Sequence, residues 1–172
     1  VKSAEPTRPR VEVVETMPTS MVALGSQGED VDIEIPEFAK DQFDMRMDGR
    51  LDEAVWEQVP GYDNMLVMDP DTLADPRFKT DARFFYTEEG LYVGVYMQQP
   101  PETLIARLSS RDLFINRDAV GITLDTSGEG LYGYWFSVNL GGSVMDGKVA
   151  AERQFSREWD GPWTSGTVEL SD

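Results

Sequence analysis

The sequence predicts an all-β protein, an antiparallel β-sandwich with one short helix and long loops, and three observations support this. Short segments that alternate apolar and polar residues recur through residues 79–150, as is typical of strands with one buried face. Turn sequences separate them, such as Thr-Glu-Glu-Gly at 87–90 and Thr-Ser-Gly-Glu-Gly at 126–130. Helical spacing occurs near residues 50–59. Many short strands with little helix favour two packed antiparallel sheets.

The chain divides into two parts of different composition. Residues 1–30 mix Pro, Ser, Thr, Gly and charged residues, and we interpret them as a leader or linker whose apolar islands favour partial order. Residues 31–172 form the domain, which is long enough to bury a core. It opens with alternating apolar residues at 31, 33 and 35, and Pro36 limits this strand to an edge.

A short helix is predicted near residues 50–59. It follows the turn signal Asp48-Gly49, and Pro60 stops it. The apolar residues that recur at helical spacing are Leu51, Ala54, Val55 and Val59. We expect Trp56 to fill the core from this helix.

The remaining elements are predicted strands. Residues 79–99 predict a hairpin with its turn at 87–90, and residues 100–117 form a long connection. Further strands are expected at 118–125, 131–142 and 142–152.

The stretch Leu131–Gly142 divides its residue types unequally between two faces. Side chains alternate along a strand, so one face carries the apolar set. That set is Tyr132, Tyr134, Phe136, Val138 and Leu140. Trp135 lies on the other face with Ser137 and Asn139, and such a face offers an indole for stacking and polar groups for hydroxyls. The alternative is a second small core, covered by a loop.

Composition excludes several classes of function. The net charge of −17 strongly disfavours binding to nucleic acid or to an anionic membrane surface. The absence of His and Cys excludes His- or Cys-based nucleophilic catalysis and His- or thiolate-bound zinc. The carboxylates show no spacing typical of a glycosidase pair, and no apolar run reaches the ~20 residues of a membrane helix. We therefore expect a non-enzymatic protein that does not itself span a membrane.

Five segments in order carry a resemblance to a known family. They are MDGRLDEAVWEQV (47–59), FFYTEEGLYVGVYM (84–97), RD...NRDAVGITLDT (111–126), GYWFSVNLGGSVMDG (133–147) and WDGPW (159–163). Together they resemble the carbohydrate-binding family 9-like domain, a β-sandwich of the DOMON-like type, over residues 31–172. Such domains often form the amino-terminal module of exported bacterial proteins, some with a predicted outer-membrane barrel behind them.

The resemblance implies a non-catalytic saccharide-binding module in the periplasm or at the cell surface of a Gram-negative bacterium. Family members continue past the WDGPW region into a further strand, so it also implies a chain that is truncated at its carboxyl end. The alternative is a structural accessory domain that docks on the remainder of its own polypeptide, as in a larger outer-membrane protein.

The resemblance and the residue types together give one set of candidate ligand-binding residues. Trp135 would stack the saccharide, Asn139 and Arg111 would bind its hydroxyls, and Trp159 or Trp163 would form the opposing wall. Arg83 is a further candidate. The alternatives are that each arginine pairs with a neighbouring carboxylate and that the two tryptophans clamp one end of the sandwich.

Calcium is the cofactor that this composition and the family favour. It takes oxygen ligands from Asp-rich loops, and Asp118, Asp125 and Asp146 are the candidate ligands. Haem occurs in some DOMON-like relatives, bound by Met with His or Lys. His is absent and a Met/Lys pair stays open, so we expect a colourless protein without haem.

Overall fold

The computed structural model of this 172-residue chain describes residues 10–12, 22–24, 33–70, 72–113, 115–151 and 154–170. Within these ranges the strands are β1 (Arg10–Glu12), β2 (Val22–Leu24), β3 (Gly61–Tyr62), β4 (Met65–Val67), β5 (Thr80–Thr87), β6 (Gly90–Met97), β7 (Ala119–Asp125), β8 (Tyr132–Asn139), β9 (Val144–Ala150) and β10 (Gln154–Ser156). Single 3-10 turns occur at Lys40–Gln42, Trp56–Gln58 and Pro101–Thr103.

The strands form antiparallel sheets, which confirms the all-β prediction. One sheet has five strands in the order β1-β7-β8-β9-β10, and a second has three in the order β3-β5-β6. A ribbon of β2 and β4 accompanies them. Of the predicted leader, β1 and β2 are described as backbone elements, and the rest of residues 1–30 lies outside the described residues.

The helix predicted near residues 50–59 is shorter than expected. A turn leads into one 3-10 turn, Trp56–Gln58, with i to i+3 hydrogen bonds such as Gln58 N–H to the Val55 carbonyl at 3.0 Å. The Asp48-Gly49 turn and Pro60 bound this segment, and within it short-range i to i+3 hydrogen bonds form a tight turn that places Trp56 in the core. The edge strand expected before Pro36 is likewise reduced, in the described part, to a single bridge between Glu37 and Tyr86.

The first apolar core covers the outer face of the three-stranded sheet. Phe85 is 0% exposed and stacks on Tyr92 with ring centroids 4.6 Å apart. Edge-on rings surround it, namely Phe38, Phe43 and Trp56. The buried position of Trp56 confirms that it fills a core from this turn.

A second core lies on the inner face of the same sheet, toward β7. Met65, Ala82 and Phe84 are buried there, and Ile122 of β7 packs against them. The two sheets therefore contact each other at this point. Val93 and Val95 of β6 also pack against this cluster but are only half-buried.

The two faces of β8 differ from expectation in their exposure. Phe136 and Val138, on the predicted core face, are half-buried, whereas Ser137 and Asn139 on the opposite face are 4% and 0% exposed. The polar face is closed because the 105–113 loop hydrogen-bonds across it. The apolar face is the more open one.

Candidate functional site

A large cleft lies between the two sheets, with a volume of about 1140 Å³. Strand β6 borders it on one side, β7 and β8 form its floor, and the 159–170 segment forms a third wall. The inward side chains of its strands are apolar, among them Val93, Val95, Val120, Ile122, Phe136 and Val138. All six are half-buried, so the cleft exposes apolar surface that a closed core would cover.

The charged groups that line the cleft are mostly acidic. They are Asp52, Glu89, Asp118 and Glu169, with Arg50 as the one guanidinium among the lining side chains described. This excess of carboxylates matches the overall charge of the chain. A positively charged ligand is therefore favoured electrostatically.

The Trp-Asp-Gly-Pro-Trp segment forms an aromatic wall of the cleft. Trp159 packs on Tyr134 with ring centroids 4.6 Å apart, and Trp163 meets Phe136 edge-on at 5.5 Å. Both indoles are half-buried rather than exposed. These contacts agree with a structural clamp and leave the ring faces that border the cleft as ligand surface.

A buried carboxylate fixes this wall to the sheet. Asp146 of β9 is 0% exposed, and it shares a sheet face with Phe136, directly opposite on β8. Its side chain accepts hydrogen bonds from the Gly161 N–H at 2.6 Å and from the Trp163 indole at 3.2 Å. A Cβ at Gly161 would lie 2.5 Å from the Trp159 ring, so only glycine fits this turn.

Arg111 balances the negative charge of the buried Asp146 carboxylate. Its guanidinium donates to Asp146 at 2.5 Å and to Asp160 at 2.8 Å. Burial by itself lowers the pKa of Arg111, but the hydrogen bond to Asp160 and the surrounding carboxylate charges together raise that pKa above its usual value. The guanidinium is thus committed to carboxylates, which was the alternative to a role in ligand binding.

Asp112, Asp146 and Asp160 are the carboxylates that could hold a metal among the described residues, with oxygens within 4.8 Å of one another. The Arg111 guanidinium already binds within this group. A calcium ion would have to compete with it, so the set fits an ion pair better than a cation site.

The predicted calcium ligands are not brought together. Asp118 and Asp125 flank opposite ends of β7, and Asp146 lies on β9. Asp118 accepts the Ile105 N–H at 2.6 Å. Asp125 accepts the Gly130 N–H at 2.6 Å, and this bond, followed by those from Ser127, lowers the pKa of Asp125. These three residues therefore do not fit one shared ion, and calcium binding stays a prediction.

Trp135 lies on the face of the five-stranded sheet that points away from the cleft. Its indole N–H donates to the Ser156 carbonyl at 3.2 Å, and its ring meets Phe155 edge-on at 6.2 Å. A Cβ at Gly147 would lie 2.7 Å from the indole nitrogen, so the ring lies directly over this glycine. Trp135 is half-buried and Phe155 is exposed, which leaves a small aromatic patch at the surface.

Asn139 and Arg83 have structural partners. The Asn139 carboxamide accepts the Ser143 N–H and donates to the Arg107 carbonyl, both at 2.9 Å. Arg83 donates to the Trp56 carbonyl at 2.6 Å and pairs with Asp81 on the three-stranded sheet. The predicted ligand set is thus divided over three surfaces: Trp135 and Asn139 on one face, Arg111, Trp159 and Trp163 on another, and Arg83 on a different sheet.

The sequence analysis predicted neither the cleft nor the role of Asp146 in attaching the 159–163 segment to β9. The segment Val144–Lys148 does contain a sequence signal for this role of Asp146. Alternation places Asp146 on the same face as Val144, and in the structure it lies opposite Phe136. A carboxylate at an apolar-facing position indicates buried donors. The cleft has no comparable local signal, since it depends on how two distant sheets meet.

These features define a class: an antiparallel all-β domain with an open apolar cleft between its sheets. Comparisons with protein-family models, with curated proteins and with solved structures found no match. Within the described residues, no helix has both the length and the apolar character that a bilayer crossing requires.

Proposed function

We propose that this domain is a non-catalytic docking module, and that its cleft binds an apolar segment of a partner polypeptide. The observation that carries the proposal is the half-buried state of the inward side chains on β6, β7 and β8. Such a surface costs free energy in water, and covering it supplies the driving force for association.

The size and lining of the cleft favour a polypeptide over a small molecule. Its volume of about 1140 Å³ exceeds the roughly 300–1,000 Å³ typical of small-molecule pockets. Val, Ile and Phe side chains of its strands form the apolar part of the lining, and many of its polar residues come from segments beside those strands, such as Gln98, Gln99 and Thr164.

The charge of the chain narrows the partner further. Four carboxylates and one guanidinium line the cleft, and the whole chain carries −17. Basic residues beside an apolar segment would therefore strengthen binding and speed association.

The proposed setting rests on the sequence resemblance alone. Resemblance to the carbohydrate-binding family 9-like domain supports an exported protein, in the periplasm or at the surface of a Gram-negative bacterium. An accessory domain docked against a larger outer-membrane protein is consistent with a cleft of this kind.

The docking proposal predicts a specific loss on polar substitution within the cleft. The probe is a labelled nine-residue peptide of alternating valine and threonine with a lysine at each end, titrated onto the whole chain by fluorescence anisotropy. Val138→Thr, which places a hydroxyl in the cleft without changing volume, is expected to weaken binding about fivefold or more.

Val149→Thr is the matched control, because Val149 lies on the opposite face beside Gly133. It should leave the affinity unchanged. No saturable binding by about 1 mM peptide, or equal losses in both variants, would overturn the docking function.

Saccharide binding at Trp135 is the second candidate function. The observation in its favour is the surface patch of half-buried Trp135 beside exposed Phe155. Aromatic faces of this kind stack on the C–H faces of sugar rings. Because the Asn139 carboxamide is buried and bonded, polar contacts would have to come from elsewhere on that face.

Tryptophan fluorescence distinguishes this second function. The folded chain would be titrated with soluble mono- and oligosaccharides, with and without calcium, alongside Trp135→Ala. A saturable change that disappears in Trp135→Ala is expected if the patch binds sugar. A flat response from all sugars in the folded chain contradicts it.

A further inference from the structure

We infer that the occupant of the cleft is an extended segment of a partner polypeptide that adds as an antiparallel strand to the outer edge of β6. This inference rests on the docking function proposed above and names its binding mode. It is carried by the backbone register of β6, which can be assigned residue by residue.

The register identifies the backbone groups at the outer edge. The Gln98 N–H donates to the Lys79 carbonyl, so in the β5–β6 ladder the even-numbered residues of β6 bond to β5. The Tyr86 N–H of β5 points away from β6 and donates to the Pro36 carbonyl. Because Tyr86 lies opposite Leu91, this bond independently shows that the odd-numbered residues of β6 do not bond to β5. The outward amide groups of β6 therefore belong to Leu91, Val93, Val95 and Met97.

These outward groups have no strand beside them among the described residues. Strand β6 pairs with β5 alone and forms the end of the order β3-β5-β6. It spans eight residues, about 26 Å of edge. An edge of this length without a proline or an inward-pointing charge is a ready template for another strand.

The same four residues also direct their side chains into the cleft. Phe84, an inner-face residue of β5, lies opposite Val93, so the odd-numbered residues of β6 share that inner face. The cleft is lined by residues from both faces of β6, including Tyr92 and Tyr96, and therefore extends around its edge. A strand placed there would bond to β6 and bury alternate side chains against Ile122, Phe136 and Val138.

The geometry also sets the sequence pattern of the occupant. In an antiparallel ladder, every second pair of opposed residues exchanges both hydrogen bonds, and the two side chains of each opposed pair point to the same face. The residues that bond to β6 are thus the ones whose side chains enter the cleft, and these must be apolar. The intervening residues point outward, and the acidic lining favours basic residues at the ends.

A second copy of this chain is a poorer occupant. Its β6 would satisfy the hydrogen bonds, but two chains that each carry a net charge of −17 would repel each other on approach. A basic partner removes this repulsion. We therefore assign the edge to a partner polypeptide.

Selective N-methylation of the valine–threonine probe peptide tests the inference. One version carries N-methyl groups on two central valines and the other on two threonines, so both lose two N–H donors. Methylation of the valines is expected to weaken binding at least tenfold, because those nitrogens face β6. Methylation of the threonines should change affinity less than threefold. Sedimentation velocity of the unlabelled chain is measured in parallel.

Each outcome decides a separate question. If the unmodified peptide does not bind, the docking function itself fails. If it binds and both methylated versions bind equally well, the cleft is a docking site but strand addition is wrong. Sensitivity to threonine methylation alone would overturn the antiparallel arrangement. If the chain is dimeric without peptide and the dimer does not bind the peptide, the edge of β6 binds a second copy of the chain, which would overturn the assignment to a partner polypeptide.

Discussion

Asp146→Ala is expected to destabilise the folded chain by about 2 to 4 kcal/mol, because each donor left without its acceptor costs about 1 to 3 kcal/mol. The substitution leaves the Gly161 N–H and the Trp163 indole without an acceptor, and it removes the buried partner of Arg111. The wall formed by 159–163 would lose its attachment to β9. Urea unfolding followed by circular dichroism gives the change as a lower midpoint.

Asp160→Asn is the matched control for this prediction. Asp160 pairs with the same guanidinium, but its side chain is 74% exposed, whereas that of Asp146 is 0% exposed. Exposed pairs contribute about 0 to 1 kcal/mol, so the control should stay close to the wild-type midpoint. Equal losses in the two variants would show that burial of Asp146 does not anchor the wall.

The strands could be predicted from the sequence because alternation is a local property. The predicted strand at 118–125 is β7, Ala119–Asp125, and the hairpin turn at 87–90 lies between β5 and β6. Helical spacing was a weaker guide at 50–59. Apolar residues three or four apart there fit a compact turn as well as a helix, and the span was too short to distinguish them.

Which face of a strand is covered could not be predicted, because covering depends on segments that are distant in sequence. Asn139 reaches 0% exposure through Arg107 and Ser143, and Phe136 stays half-buried because the facing β6 leaves a cleft. The prediction of a sugar-binding face around Trp135 assumed that the face of Asn139 is open and that the face of Phe136 is covered. Alternation assigns residues to faces, and tertiary packing then decides which face meets water.

The ion-pair partners of the charged candidate residues are also distant in the sequence. Arg111 and Asp146 are separated by 35 residues, and the Gly161 N–H comes from a further turn. A chain with 32 carboxylates offers many possible partners for any arginine. The carboxylate partner of Arg111 therefore depends on the fold and could not be predicted from the spacing of residues in the sequence.

Phe85→Ala is expected to cost about 3 to 5 kcal/mol, while Val138→Ala in the cleft costs about 1 kcal/mol or less. Phe85 is wholly buried among four rings, so its removal leaves a cavity that these rigid side chains cannot fill. Val138 is half-buried and already borders open space. Urea midpoints of the two variants would be compared at one pH and salt concentration.

This contrast determines whether the cleft is free to bind a partner. A free chain whose stability comes from the core around Phe85 can leave the surface between its sheets uncovered, and a bound strand would then raise the unfolding midpoint by binding the folded state alone. If Val138→Ala instead costs as much as Phe85→Ala, the apolar walls are in contact in solution and the cleft is closed. The docking function would then lose its surface, since strand β6 would have an edge but no apolar floor beside it.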